Sequence, residues 1–272
     1  MNRSKTASED RPDDTPYAAG PRALTRLLAL FDALSQAPNG MTLAEISIAL
    51  DSPKSSLLNL LRPLVAEGFL TYNASTYNLG TAMFRLSASV MQASRLIRLI
   101  RPFMQELVDT TGESSMWGEL HRKAGEIIFT DVVDSPHALR LQIPAGVRRP
   151  LCLSPSGWVL LAYVDKSWRD DYLLAAEKLG HLQAPLSRTL IQREMTKLRA
   201  DGILTAIETV QPGIGSVAAP IFNDRGECLG VINASGPANR FRTNLAQLQK
   251  AVAAIAQKAT AATKVEHLDA PF

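Results

Sequence analysis

The sequence predicts a protein of the α/β class in the α+β arrangement, with a winged helix-turn-helix, a connector helix and a larger mixed α+β domain. Three observations support this fold. Two short amphipathic helices follow each other almost directly, a pair of strand-like runs comes after them, and further on paired strands are separated by helices. Of the 272 residues, 46% are hydrophobic, so the chain can bury cores of ordinary size.

Composition and helix-stop signals set the expected domain boundaries. Residues 1–20 combine charges of both signs with prolines and few apolar groups, a composition that favours a disordered tail. The winged helix-turn-helix, the connector helix, the mixed domain and a second tail are expected at 21–80, 81–94, 95–265 and 266–272. The helical stretch that starts after residue 80 is predicted to be interrupted at Pro102 and to end at Gly112.

Three helices are predicted at the start of the folded part. The second begins with a capping box between Thr42 and Glu45, in which the two side chains satisfy free backbone donors. The third follows at once, with Ser52 as its N-cap and Pro53 at its first helical position, and two helices joined so closely form a helix-turn-helix. The first helix has an apolar stripe at helical spacing, formed by Leu24, Leu27, Leu28, Phe31 and Leu34.

The third helix is polar at its start and apolar along one side further on. In a helix-turn-helix this second helix lies in the major groove, and its first residues reach base edges and phosphates. The runs FLTYN and TYNLG beyond it predict a hairpin, the wing. The plainer interpretation is that the polar residues only cap an ordinary helix. The expected DNA contacts are Lys54, Ser55, Ser56, Asn59 and Arg62 on this helix, with Arg26, Asn73 and Ser75 on the DNA backbone.

The pattern changes after residue 111. The helix predicted at 189–202 is expected to begin with a capping box between Thr189 and Gln192 and to end at Gly202. Helices are predicted at 154–164, 168–180, 189–202 and 245–265. Strands are predicted at 114–121, 126–135 and 138–146, with a further pair across the turn at 224–226.

Several classes of protein are disfavoured by composition. The net charge of +3 would suit nucleic acid without requiring it. Apolar runs stay well below the roughly 18–20 residues that span a bilayer, and the first residues lack a secretory signal, so we expect a cytoplasmic protein without membrane contact. Cys152 and Cys228 form no CxxC pair and only four histidines are present, so we expect no metal, no cofactor and no disulfide framework.

An enzyme is the main alternative class. A nucleophile elbow needs glycine two residues on either side of serine, and neither Ser156 nor Ser216 has this pattern. Gly213 and Gly215 are too few for a dinucleotide-binding fingerprint. The sequence therefore favours a binding protein over a catalyst.

Taken in order, the motifs TLAE, SPKSS, EGFL, YNLG, RPFMQELVDTTGE, DVVDSPHALRL, ETVQPGIGSVAAPI and ASGPANRF resemble the IclR-type bacterial transcriptional regulators. The resemblance extends from Pro21 to Val265. It implies a winged helix-turn-helix followed by a GAF-like domain that binds a small effector. It also implies a homodimer, often paired into a homotetramer, that binds a palindromic operator in double-stranded DNA.

The resemblance also implies an effector pocket on the sheet of the second domain. A helix that starts near Ser154 would offer backbone donors to an anion, and the hydroxyls and amide around it could fix a carboxylate, so a small organic acid is expected. Trp117 and Trp158 would make the pocket apolar and suit an aromatic acid, unless they are core residues. The pocket residues carried over by matching motif are Leu141, Ser154, Pro155, Ser156, Ser216, Asn233 and Ser235.

The sequence departs from the family pattern in both domains. Leu58 and Asn59 replace a frequent histidine-arginine pair in the recognition helix, so the operator cannot be copied from relatives. Cys152 replaces a frequent histidine, and Ala206 an acidic pocket residue. Together with Pro63 inside the recognition helix, Leu58 keeps an alternative open: a sensing module that acts through protein partners and no longer binds DNA.

Overall fold

The computed structural model describes residues 22–266 and residue 268, so the predicted N-terminal tail and most of the C-terminal one lie outside the described residues. The chain divides into two compact units, Met1–Val90 and Met91–Phe272. Within the described part, none of the helices combines the length and the apolar character that crossing a bilayer requires.

The first unit is a winged helix-turn-helix. The predicted capping box is present: the backbone N–H of Glu45 donates to Thr42 Oγ1 at 3.3 Å, and the N–H of Thr42 donates to Glu45 Oε2 at 2.7 Å. The three strands form one antiparallel sheet in the order β1-β3-β2. The elements are α1 (Arg22–Ser35), β1 (Met41–Thr42), α2 (Leu43–Ala49), α3 (Lys54–Ala66), β2 (Leu70–Asn73), β3 (Thr76–Leu79) and α4 (Thr81–Ala93).

The core of this unit differs from the predicted stripe on α1. Leu24 and Leu28 are 49% and 42% exposed, whereas Leu30, outside that stripe, is 0% exposed. Helical spacing identifies an apolar face, but α1 is covered only where α2 and β3 lie against it, and the stripe was wrong for these two leucines. The buried core consists of Leu30, Leu34, Ile46, Leu57, Leu61, Leu70 and Tyr77.

The start of α3 also differs from expectation. The helix begins at Lys54 with Pro53 at the N-cap and no side-chain cap, so the assignments of Ser52 as N-cap and of Pro53 as the first helical residue were wrong. Ser52 is 5% exposed, and its hydroxyl donates to the carbonyl of Leu50 at 2.9 Å. Its own carbonyl accepts from Ser47 Oγ at 2.7 Å. Ser52 therefore satisfies the end of α2 instead of the start of α3.

The second unit is a six-stranded antiparallel sheet with helices on both faces. The strand order is β6-β5-β4-β9-β8-β7. Helices α5 and α9 pack on one face, and α6 and α8, with α7 beside them, pack on the other. The elements are α5 (Arg95–Thr111), β4 (Ser114–His121), β5 (Glu126–Val133), β6 (Arg148–Pro150), α6 (Pro155–Tyr163), α7 (Lys166–Lys178), α8 (Arg188–Asp201), β7 (Leu204–Ile207), β8 (Ile214–Phe222), β9 (Cys228–Pro237) and α9 (Ala238–Val265).

The predicted strand at 138–146 is absent, and this segment belongs to the loop 134–147 between β5 and β6. Leu139 is 69% exposed, and the carbonyl of Leu141 accepts from Ser114 Oγ at 2.8 Å instead of from a strand. Backbone pairing with β5 resumes only at Gly146, whose N–H donates to Phe129 O at 2.7 Å. The alternating apolar residues of this segment, Leu141 and Ile143, therefore lie in a loop beside the sheet and not in a strand.

Two helix boundaries were also mispredicted. The helical stretch is interrupted at Ser94, between α4 and α5, and α5 continues through Pro102. Pro102 is exposed, so the carbonyl that loses its donor can bind water. Ser187, and not Thr189, caps α8: its side chain accepts from the N–H of Leu190 at 3.1 Å. Helix α5 is followed by its predicted Gly112 cap, with φ of 73°.

Candidate DNA-binding face and ligand pocket

Helix α3 presents a polar face to solvent and an apolar face to the core. Lys54, Ser55, Asn59 and Arg62 are exposed. Leu57, on the opposite side, is 1% exposed. The helix can therefore offer cations, a hydroxyl and an amide to a DNA groove without losing core packing.

Arg26 and Ser56 lie together. The Arg26 Nη1 donates to Ser56 Oγ at 3.1 Å, and both side chains are partly buried. This contact links α1 to the first turn of α3. Ser56 is thus already engaged with a side chain of the protein, which leaves Ser55 as the more accessible hydroxyl of the pair.

The wing ends in a tight turn. Ala74 and Ser75 have φ of 49° and 66°, a left-handed pair that L-residues adopt at a cost. Asn73 and Ser75 are exposed at this tip. Tyr72 and Tyr77 pair across the hairpin with ring centroids 4.5 Å apart, which braces the two strands.

The second unit contains a cavity beside the start of α6. Its volume is about 560 Å³ when the solvent space at its open mouth is included. All seven residues carried over from the family motifs line it: Leu141, Ser154, Pro155, Ser156, Ser216, Asn233 and Ser235.

The polar residues of this cavity are joined in pairs. Asn233 accepts from the N–H of Met116 at 3.1 Å through Oδ1 and donates to Ser156 Oγ at 2.8 Å through Nδ2. Ser235 Oγ donates to Ser216 Oγ at 2.9 Å. Because Ser156 and Ser216 each act as the acceptor in these bonds, their hydroxyl protons remain available to donate to a ligand.

The start of α6 also contributes to the cavity. Ser154 is the N-cap residue, but its side chain makes no capping bond, and Pro155 lacks an N–H. The next N–H groups of a first helical turn have no partner within the helix. Gly157 is required here, since a Cβ would lie 2.3 Å from the carbonyl of Leu151. The helix start thus approaches the preceding segment closely and leaves donors beside the cavity.

The walls of the cavity are mostly apolar, but the two tryptophans do not form them. Trp117 faces α5 and α9, and Trp158 donates through Nε1 to Cys152 O at 2.8 Å in the core under α6. Of the two alternatives for these tryptophans, the structure supports the one in which they are core residues. Ala206 does line the cavity. The remaining lining residues, which the sequence analysis missed, are Met116, Phe129, Ile143, Arg149, Leu153, Thr209, Val210, Gln211 and Ile214.

Neither cysteine is suited to chemistry. Burial raises the pKa of the Cys152 thiol, and it raises the pKa of Cys228 to about 12. Both therefore stay protonated at neutral pH and are poor nucleophiles. In the described part of the chain, no group of three or more His, Cys, Asp or Glu side chains could hold a metal ion.

Comparison with known families matches both units. The family model of the IclR helix-turn-helix domain matches residues 23–74, and that of the bacterial transcriptional regulator IclR C-terminal domain matches residues 88–261. Solved structures with the same fold include an IclR transcriptional regulator from Alicyclobacillus acidocaldarius, with a TM-score of 0.78, 20% identity and coverage of 90% of this chain and 99% of that one. An IclR homologue from Microbacterium hydrocarbonoxydans complexed with 4-hydroxybenzoate has a TM-score of 0.69, 19% identity and coverage of 88% and 99%.

Curated relatives are regulators of transcription and not enzymes. The HTH-type transcriptional regulator BhcR of Paracoccus denitrificans is 29% identical over 82% of this chain and 80% of the relative. The transcriptional repressor IclR of Escherichia coli is 24% identical over 83% of this chain and 84% of the relative. With its helix-turn-helix and its C-terminal effector domain, this chain belongs to the IclR family of bacterial transcriptional regulators.

Proposed function

We propose that this protein binds a palindromic operator as a homodimer or homotetramer and that a small aromatic acid in the second unit controls this binding. The observation that carries the proposal is that one chain combines an exposed polar recognition helix with a cavity holding two available hydroxyl donors. Such a protein acts on chromosomal DNA, and we propose that it works in the cytoplasm.

On the DNA side, the proposal rests on the exposed face of α3. Lys54 and Arg62 carry positive charge there, and no carboxylate of the described residues pairs with either. Asn59, one turn further along than Ser55, is suited to a bidentate contact with adenine. We assign phosphate and backbone contacts to Lys54, Ser55 and the wing tip, and base contact to Asn59.

Apolar side chains left exposed support self-association. Leu24 and Leu28 of α1 are accompanied by Phe84 and Leu86 of α4, which are 76% and 53% exposed. Exposed apolar residues on neighbouring turns of helices are typical of surfaces that are covered by another subunit. A two-fold dimer presents two recognition helices, whose half-sites lie about 34 Å apart or a multiple of that distance.

On the ligand side, the apolar walls and the hydroxyls of Ser156 and Ser216 fit an organic acid with an apolar body. The 4-hydroxybenzoate held by the structural relative from Microbacterium hydrocarbonoxydans is of this chemical class. We therefore propose aromatic monocarboxylates as the first class of effectors to examine.

Fluorescence anisotropy tests the DNA-binding part. The purified chain is titrated into the intergenic DNA beside its own gene and into scrambled DNA at several salt concentrations. A regulator binds the native DNA about a thousandfold more tightly, with affinity that falls steeply as salt rises. Equal and weak binding to both would instead favour a sensing module that acts through protein partners.

A further inference from the structure

Two adjacent arginines on β6 face opposite sides of the sheet. In the β5–β6 pairing, Arg149 lies opposite Ile127 and Arg148 lies opposite Ile128. Cross-strand partners share a face of the sheet. Ile127 is 0% exposed in the core under α6, so Arg149 is on the cavity side, and it lines the cavity. Arg148 is on the other side, 3.9 Å from Glu126.

The charge of Arg149 is unbalanced at the cavity. Among the described residues that line the cavity, Arg149 carries the single charge, and no aspartate or glutamate is present. Nor does any carboxylate or carbonyl in the described part of the chain accept a hydrogen bond from its guanidinium. Ala206, on β7 at the opposite edge of the sheet from β6, also lines the cavity and supplies no acid. A cation beside largely apolar walls thus lacks a counter-charge from the protein.

We propose that Arg149 binds the carboxylate of the effector and so limits effectors to monocarboxylates with an apolar body, an inference that rests on the function proposed above. A guanidinium presents two parallel N–H donors that match the two oxygens of a carboxylate. The hydroxyls of Ser156 and Ser216 are neutral and can bind oxygen atoms of an acid, an amide or an alcohol alike. Arg149 is therefore the residue that selects for negative charge.

The same arrangement disfavours a second carboxylate. A dicarboxylate would bring its other charge against Met116, Phe129 and Leu153, where no cation of the described chain is present to balance it. Burying an unpaired charge is strongly unfavourable. Selectivity should therefore run from aromatic monocarboxylate to neutral amide to aromatic dicarboxylate.

Isothermal titration calorimetry on the full chain tests this residue with matched probes. The probes are 4-hydroxybenzoate, 4-hydroxybenzamide, which has the same shape without the charge, and terephthalate. The variants are Arg149→Met and, as the control on the opposite face, Arg148→Met. We expect Arg149→Met to weaken 4-hydroxybenzoate binding by about ten- to a hundredfold or more, through loss of the charge-assisted contact with the carboxylate, and to leave binding of the amide unchanged. Arg148→Met should keep the wild-type preference for the acid.

Two further measurements keep the assignment falsifiable if Arg149→Met does not fold. Arg149→Lys retains the positive charge but loses the two parallel N–H donors of the guanidinium, and it should show an intermediate preference for the acid over the amide. In the wild type, that preference should fall as salt is raised, because Arg149 is an exposed residue of the cavity lining and salt screens its charge.

The outcomes separate this inference from the proposed function. If the wild type binds 4-hydroxybenzoate and Arg149→Met keeps the full preference over the amide, Arg149 does not bind the carboxylate, while the proposed function stands. If the wild type binds neither the acid nor the amide, the aromatic effector class is wrong, and the role of Arg149 is overturned with it.

Discussion

Arg240 holds the buried carboxylate of Glu113 in a bidentate ion pair, with Nε donating to Oε1 at 2.6 Å and Nη2 donating to Oε2 at 2.7 Å. Its Nη1 donates to the carbonyl of Leu139 at 2.9 Å. This one guanidinium therefore joins the start of α9, the residue before β4 and the loop 134–147, which contributes Leu141 to the cavity wall. Gly236 leaves room for the Glu113 carboxylate, since a Cβ at position 236 would lie 2.1 Å from Glu113 Oε2.

Removal of Arg240 should be costly. Arg240→Met leaves the carboxylate of Glu113 buried without its partner, and we expect the free energy of unfolding to fall by about 3 kcal/mol. Urea denaturation measures it. The control is Arg242→Met, which removes an exposed ion pair with Glu208 and should change stability far less. Equal effects of the two variants would show that the buried Arg240–Glu113 pair stabilises the fold no more than the exposed pair does.

A larger side chain at the floor of the cavity should block the effector without affecting DNA binding. Ser216→Leu replaces the hydroxyl that accepts from Ser235 with three carbons. Ala206→Leu adds three carbons at the paired position on β7. We expect each variant to weaken binding of 4-hydroxybenzoate by about tenfold or more, while operator affinity stays at the wild-type value. Circular dichroism checks the fold. Full ligand binding in both variants would place the effector elsewhere.

The wing turn should be improvable. Ala74→Asn with Ser75→Gly installs the pair that the left-handed turn favours, and we expect a gain of about 1 kcal/mol in the local opening free energy. Hydrogen exchange at the amides of β2 and β3 reports it. Slower exchange in the double variant is the expected result, and unchanged exchange would mean that the turn is not strained.

Two variants separate phosphate contact from base contact. Lys54→Met should weaken binding to all DNA sequences and reduce the slope of affinity against salt by about one unit. Asn59→Ala should instead relax discrimination at one base pair, by about 1–3 kcal/mol. Lys166→Met, on α7 of the second unit, is the control. Wild-type affinity in all three variants would favour a protein that acts through partners.

The stability of α7 should depend on pH in the acid range. Asp165 caps this helix by accepting from the N–H of Trp168 at 2.9 Å, and this bond, with the Arg122 guanidinium, lowers its pKa from 3.8 to about 2. Because the folded pKa is depressed, the stabilisation is present above pH 4 and is lost as the pH falls through 2.

Asp165→Asn tests this dependence. The variant should be less stable than the wild type at pH 7, and the difference should shrink as the pH is lowered from 4 toward 2. Denaturation curves at each pH measure it. A difference that stays constant over this range would show that the Asp165 charge does not contribute.

Local signals predicted the helix-turn-helix well because each of its parts has its own short signature. Thr42 and Glu45 satisfy each other within one turn, and the leucines of α3 repeat at helical spacing. The faces of α1 were harder to predict, since Leu24 and Leu30 are both apolar and only tertiary packing decides which is covered.

The cavity could be predicted only in part. Serines and Asn233 were found because they lie in motifs, and all of them line it. Arg149 was missed because its place in the lining depends on pairing with β5, and the same pairing separates it from Arg148, an identical neighbour in sequence. Leu141 was found, but on a supposed strand, since alternation of apolar residues does not distinguish a strand from a wall-forming loop.

The most direct test of the account is the coupling between effector and operator. Anisotropy gives the affinity for the intergenic DNA with and without saturating 4-hydroxybenzoate, and calorimetry gives the affinity for the acid with and without that DNA. We predict that both experiments show the same change, of about fivefold or more, because coupling between two sites is reciprocal. Tight binding of the acid that leaves operator affinity unchanged would contradict a ligand-controlled regulator.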